Sequence, residues 1–255
     1  MQLLALAVGP AFLVLHLVYA LDRRREPWFN LVKYCVAGGL AVFLAALLED
    51  LGLGSARALA PQWSEHALGG LAFTAFVLVA LVEEACKLGP VALFGAFDRH
   101  IDEPFDWIVY SVASALGFAA VENLYYVADG GAGTALARAL TAVPSHALDG
   151  TLMGYHLALA SVATRPGERL RRRVLALLEP TLWHGAYDAL LLVAEERADR
   201  GAATRSWTAA WFVLVGLQWI VAARRISRAR ELAPRKTPPL LYPLSATRYV
   251  RRRRT

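Results

Sequence analysis

Cysteine is scarce in this 255-residue sequence: Cys35 and Cys86 are the two that occur, each inside an apolar stretch. That excludes a disulfide framework and leaves no paired-cysteine spacing for a metal site. The HExxH string of helical zinc peptidases is missing, and no inverted internal repeat of the kind common in transporters is seen. Ahead of the first apolar run there is no basic segment, and no small-residue cleavage site follows it. Arg23, Arg24 and Arg25 come after the run instead, so residues 2–21 are expected to be a retained span with the N-terminus outside. Long polar insertions are also absent, which points to one bundle rather than two globular domains.

What is abundant is apolar sequence. The chain is 57% hydrophobic with a mean hydropathy of +0.41, above the range of soluble domains. Runs of about 20 apolar residues, the length a helix needs to cross a bilayer, are expected at 2–21, 30–49, 68–97, 106–128, 134–162, 174–196 and 207–223. The fold class is therefore all-α: a polytopic transmembrane helical bundle of about seven spans, multi-pass in the cell membrane. Residues 1–225 form the bundle and residues 226–255 a basic, Pro-containing tail, expected to be disordered or to lie on the membrane surface. Short polar strings such as DRRREP, DRHIDEP, DGGAG and RPGERLRRR read as connections. Trp28, Trp63, Trp107 and Trp207 fall at span ends, where indole rings anchor to the interface. Gly89-Pro90 is expected to break the third span.

The net charge of +6 raises the question of nucleic acid, but no recognition motif accompanies it. Most of the arginines instead gather on one side of the proposed spans, after the first span, at 165–173 and in the tail. That asymmetry places the C-terminus in the cytoplasm, and the tail against anionic lipid headgroups. The lipid bilayer is the expected partner, and nucleic acid is not.

Against this apolar background the ionisable residues stand out. Glu83, Glu84 and Lys87 lie in LVALVEEACKLGPVALFGAF, Glu122 and Asn123 in GFAAVENLYY, His146 and Asp149 in PSHALDGTLMGYH, and His184 and Asp188 in WHGAYDALLLV. Each charge at membrane depth costs roughly 3 kcal/mol by insertion scales and marks a functional site by default. Lys87 shares a helix face with Glu83 at i+4; Glu84 points about 100° away and has no partner by that spacing. His146 and Asp149 share a face, with Gly150 and Gly154 allowing a close helix neighbour. His184 and Asp188 are one turn apart, which suits an imidazole oriented by a carboxylate. His16, His66, His100 and His156 read as ordinary packing histidines.

No serine or cysteine is placed to act as a nucleophile. Ser145 and His146 diverge on a helix, and Cys86 stands beside carboxylates rather than a base. A water activated by Glu83 or Glu84 remains, with Glu84 favoured because Lys87 already accounts for Glu83. His184 and Asp188 could stabilise an oxyanion; alternatively Glu122, His146 and His184 could hold Zn²⁺. Buried Glu, His and Lys residues also build proton pathways, so a proton-coupled transporter or channel is the alternative. Convergence of the side chains on one cavity, opening outward or at mid-membrane, is what the hydrolase reading requires.

EEACK, FDRHIDEPFDWIVYSVASALGFAAVENLYY, SHALDGTLMGYH and HGAYD, in that order and spacing over about residues 75–195, resemble the PrsW family of intramembrane proteases. That family is related to the CAAX-processing and bacteriocin-processing membrane proteases. The resemblance implies peptide-bond hydrolysis in or beside a bacterial plasma membrane, acting on a membrane-protein substrate, with membrane-bound anti-sigma factors the associated class. It maps the family's paired glutamates onto Glu83 and Glu84, its second motif onto Glu122 with Asn123, and its later histidine motifs onto His146 and onto His184 with Asp188; Lys87 and Asp149, beside these residues, read as supporting groups. The CAAX-type relatives carry a histidine where this chain has Glu122 and an asparagine where it has Asp188, so their mechanism does not transfer directly.

Overall fold

A computed structural model describes residues 2–59 and 67–232. Trp63, His66 and residues 233–255 of the tail lie outside the described residues. All regular structure among the described residues is helical: α1 (Gln2–Leu21), α2 (Trp28–Leu59), α3 (Leu68–Gly95), α4 (Asp106–Leu140), α5 (Ala142–Val162), α6 (Pro166–Asp199) and α7 (Arg205–Glu231). Five stretches among these residues are long and apolar enough to cross a membrane: α1, α2, α3, the continuous Asp106–Val162 holding α4 and α5, and Arg205–Ala229. α6 falls short by composition, because Glu179, His184 and Asp188 sit in its otherwise apolar middle.

The centre of the bundle is α4 packed on α5. From Asp106 to Ala120 every α4 residue is buried, whereas α1 and α2 leave Leu13, Leu17, Val36, Leu40, Phe43 and Leu47 exposed, the apolar outer face that lipid covers. Glycine sets the close crossings. A Cβ on Gly117 of α4 would lie 1.8 Å from the Cys35 carbonyl oxygen of α2, and one on Gly38 would lie 2.0 Å from that of Ser114. Gly154 of α5 likewise meets the α4 backbone, with Ile108 Cα 2.4 Å from its would-be Cβ. Small residues thus let three helices touch backbone to backbone, as membrane helices do when packing replaces the hydrophobic effect.

Several local expectations need correction. α3 does not break at Gly89-Pro90. The α-helix runs unbroken from Leu81 to Gly95, and the irregular segment is a π-helical stretch, Thr74–Ala80, ahead of the glutamates. One lost amide donor is tolerated in a packed membrane helix, where neighbours compensate the backbone. The DGGAG connection is a kink rather than an open loop: Gly131, at φ 68°, redirects a helix that continues to Leu140. RPGERLRRR forms the first turns of α6, with Pro166 at the start where its missing N–H costs nothing. α7 continues to Glu231, so residues 226–231 are helical rather than part of a structureless tail. Trp107 is 2% exposed and packs at Gly95 instead of anchoring at an interface, because the missing Cβ of that glycine leaves room for its ring; Trp28, 74% exposed, is free to anchor.

The connections 22–27 and 96–105 meet at one end of the bundle. Lys33 Nζ lies 2.6 Å from Asp98 Oδ2, Asn30 Nδ2 donates to the same oxygen at 3.0 Å, and the Tyr110 hydroxyl donates to Glu26. Burial opposes ionisation of Asp98, yet Lys33 and the His100 amide overcome it and hold the carboxyl at about 2. Glu26 goes the other way. Burial, reinforced by Asp22 and Asp102 against the Tyr110 hydrogen bond, pushes it up to about 7. A folded value above the unfolded one of about 4.3 means that the folded state holds the proton more tightly. The stabilisation is complete below the unfolded value and is lost as pH rises through about 7. The thermal midpoint in detergent is therefore expected to rise between about pH 8 and pH 5, and Glu26→Gln to flatten that slope. An equal slope in the variant would refute the assignment.

Candidate active site

Four helices carry ionisable groups to one point. Lys87 of α3, fully buried, places its Nζ 3.0 Å from Glu83 Oε2, 2.7 Å from Glu84 Oε1, 2.9 Å from His146 Nδ1 and 3.5 Å from His184 Nδ1. The i,i+3 spacing brings Glu84 to the ammonium more closely than i,i+4 brings Glu83, so the reading that left Glu84 without a partner is corrected. Helical neighbours at both spacings share a face. An ammonium has no acceptor site, so His146 accepts at Nδ1 and donates from Nε2 to Glu122 Oε2 at 2.9 Å. His184 donates from Nδ1 to Glu84 Oε1 at 2.8 Å, and its Nε2 lies 3.2 Å from Asp188 Oδ2 and 3.8 Å from Glu83 Oε2. The two imidazoles stand edge to face at 5.5 Å.

The next layer fixes these groups. Arg138, beyond the Gly131 kink, reaches back to Glu122 Oε1 at 3.0 Å and donates to Asn123 Oδ1 at 2.5 Å. Asn123 donates to the Ala7 carbonyl of α1 at 3.0 Å, tying the site to the first helix. Gln218 of α7 donates to Asp149 Oδ1 at 2.6 Å and accepts from Ser145, which is thereby turned away from His146. Ser114 donates to the Lys87 carbonyl at 2.7 Å.

The two glutamates are unequal. Glu84 is fully buried, and its Oε2 has no hydrogen-bond partner among the described residues. Glu83 lines a cavity of about 280 Å³ between α2 and α4, together with Glu49 and Glu122. Every catalytic candidate in the sequence is thus brought together, through Lys87 or one residue removed from it. Glu49, Arg138 and Gln218 were missed. Glu49 could have been noticed as an acid in the apolar string LAALLEDLG, but its place at a span end made it look like a boundary; Arg138 and Gln218 carry no spacing signal at all.

Donors for a metal are present, in a different set from the expected Glu122, His146 and His184. One atom each of Glu84, His146, Asp149 and His184 lies within 4.8 Å of the others, all four residues buried, and Glu83, Glu122 and His146 make a second such group. Glu122 and His184 fall in separate groups, and His146 belongs to both, with its Nε2 on Glu122 and its Nδ1 towards Lys87. Two imidazoles with two carboxylates suit a divalent cation in donor type and number, so this buried group could bind a metal. The Lys87 ammonium stands among the same atoms.

A charged, carboxylate- and imidazole-rich centre inside an apolar helical bundle suits a membrane-embedded hydrolytic enzyme, and comparison with known proteins shows that class. The profile of the PrsW family intramembrane metalloproteases matches residues 26–221. "Protease PrsW" of Geobacillus kaustophilus is 32% identical over 247 residues, covering 94% of this chain and 97% of the relative. Its counterpart in Oceanobacillus iheyensis is 31% identical, covering 91% and 97%, and that of Bacillus subtilis is 31% identical, covering 66% and 72%. No solved structure matches. The chain belongs to the PrsW family of intramembrane metalloproteases; it is a bacterial-type membrane protease rather than a transporter.

Proposed function

We propose that this protease is an endopeptidase cutting a peptide bond in or beside the membrane segment of a protein substrate, a membrane-bound anti-sigma factor being the class that the family suggests. The observation that carries the reading is the convergence of Glu83, Glu84, His146 and His184 on Lys87 beside a cavity. Glu83 is the general base, because of the paired glutamates it alone lines that cavity. This reverses the preference for Glu84 drawn from spacing.

Glu83 takes a proton from water as the oxygen attacks the carbonyl, and returns it to the leaving amide nitrogen. His184, backed by Asp188 and Glu84, faces the oxygen on which charge develops. Glu84 and Lys87 fix His184 and Glu83; Glu122, held by Arg138, fixes His146, with Asn123 and Asp149 tying in the flanking helices. A metal held by Glu84, His146, Asp149 and His184, Zn²⁺ being the candidate this donor set favours, would supply Lewis-acid polarisation of the scissile carbonyl. We propose further that all seven helices span the membrane, with the N-terminus outside and the C-terminus cytoplasmic, as the arginine asymmetry supports. The bundle then runs to the end of α7 at Glu231, with the motif core at about 75–195, and the basic residues that follow lie at the lipid surface.

The test is co-expression with candidate single-span proteins. Fragments are expected with the wild type and to vanish with His184→Ala, while both forms insert equally. Undiminished fragments from the variant would overturn the site. In the purified protein a chelator is expected to abolish cleavage if the donor set works through a metal; cleavage that survives metal-free conditions would remove that part of the reading.

A further inference from the structure

Every acid at the centre but one has a cation or donor beside it. Glu83 and Glu84 have Lys87, Glu122 has Arg138 and His146, Asp188 has His184, and Asp149 has Gln218. Glu49 of α2 is the exception: among the described residues it has no hydrogen bond and no ion pair. Its side chain is half-buried and lines the cavity that Glu83 and Glu122 share. Rings form the remaining wall, Phe43 and Tyr125 meeting edge to face at 6.5 Å and Phe118 closing the inner side.

An unpaired carboxylate at the end of an apolar run is costly unless something neutralises it. Acids and aromatic faces around one cavity attract a cation by charge and by ring quadrupole. Phe118 already shows the preference from its inner face, where the Lys87 ammonium sits 4.7 Å from the ring centre. The volume of about 280 Å³ is at the lower edge of pockets that enclose small ligands, room for one long side chain rather than a cofactor. The cavity opens between α2 and α4, and Phe43 and Tyr125 on its rim are more than half exposed on the lipid-facing surface. A membrane-embedded chain can therefore reach it from the side.

We propose that this cavity is a substrate subsite for a lysine or arginine side chain close to the scissile bond, with Glu49 as the specificity-determining residue that pairs with it. The inference rests on the proposed active site, since the same cavity presents Glu83 to the substrate. The preferred substrate then carries a basic residue within a few positions of the cut, inside or at the edge of its membrane segment, and the Glu49 carboxylate gains from the substrate the cation that the protein withholds.

The experiment uses the full-length protein in liposomes with synthetic single-span Leu/Ala peptides, one lysine being moved stepwise along the span. Matched series carry norleucine or glutamate at the same positions. Wild type is expected to cleave the best lysine peptide at least about tenfold faster than its norleucine match, the value of one well-placed ion pair of about 1.4 kcal/mol. Glu49→Gln is expected to bring that ratio close to one, and Glu49→Lys to favour the glutamate series. Because the readout is a ratio between peptides, a general loss of rate does not imitate it. No lysine preference in the wild type, as when Glu49 is simply neutral, would overturn the proposal, as would a preference that survives in both variants. Failure of the active-site reading looks different: Glu83→Gln would then still cleave the whole series.

Discussion

Glu83→Gln is expected to lower the cleavage rate at saturating substrate by about 10³-fold, within the range of 10²–10⁴ that a positioned general base contributes. The amide keeps the shape and the contact with Lys87 but cannot accept the water proton. KM should change little, because the cavity wall is preserved. Glu84→Gln is also expected to be severely impaired, for a different reason. Its oxygen holds both the Lys87 ammonium and His184 Nδ1, so the amide disturbs the imidazole proposed to face the oxyanion. Near wild-type turnover in Glu83→Gln would refute the assignment of the base.

The second large effect is on stability. Lys87→Met removes the one cation that lies between two buried carboxylates, and the His146 Nδ1 acceptor loses its donor. Breaking a buried ion pair from one side costs about 3–5 kcal/mol, because the orphaned charge stays buried. For a bundle of this size that corresponds to a fall in thermal midpoint on the order of 10 °C. The double variant Lys87→Met with Glu84→Gln should recover part of the loss, since one orphaned charge has gone. A midpoint in Lys87→Met equal to that of the wild type would show that the carboxylates do not depend on the ammonium.

The same lysine explains why the sequence reading went partly astray. Spacing along one helix assigns Lys87 to Glu83 and leaves Glu84 over. In three dimensions the ammonium has four neighbours on three helices, and the closest is Glu84. The metal candidates shifted likewise. Glu122, His146 and His184 look equivalent as polar residues in apolar runs, yet Glu122 and His184 belong to different donor groups.

The ionisable candidates stood out one at a time because the membrane makes each of them costly on its own. An apolar background turns every Glu, His and Lys into a signal, and the helical class follows from the same background, since a spanning segment must satisfy its backbone internally. Division of labour could not be read that way. It depends on how helices cross at Gly38, Gly117 and Gly154, on the kink at Gly131 that turns Arg138 back to Glu122, and on which glutamate the α2–α4 cavity reaches. Insertion cost is a property of a single segment and is written along the chain. Partnership is a property of packing between segments far apart in sequence, so the candidate residues were local information, while the cavity-lining acid, the buried one and the unpaired Glu49 were decided by the tertiary structure.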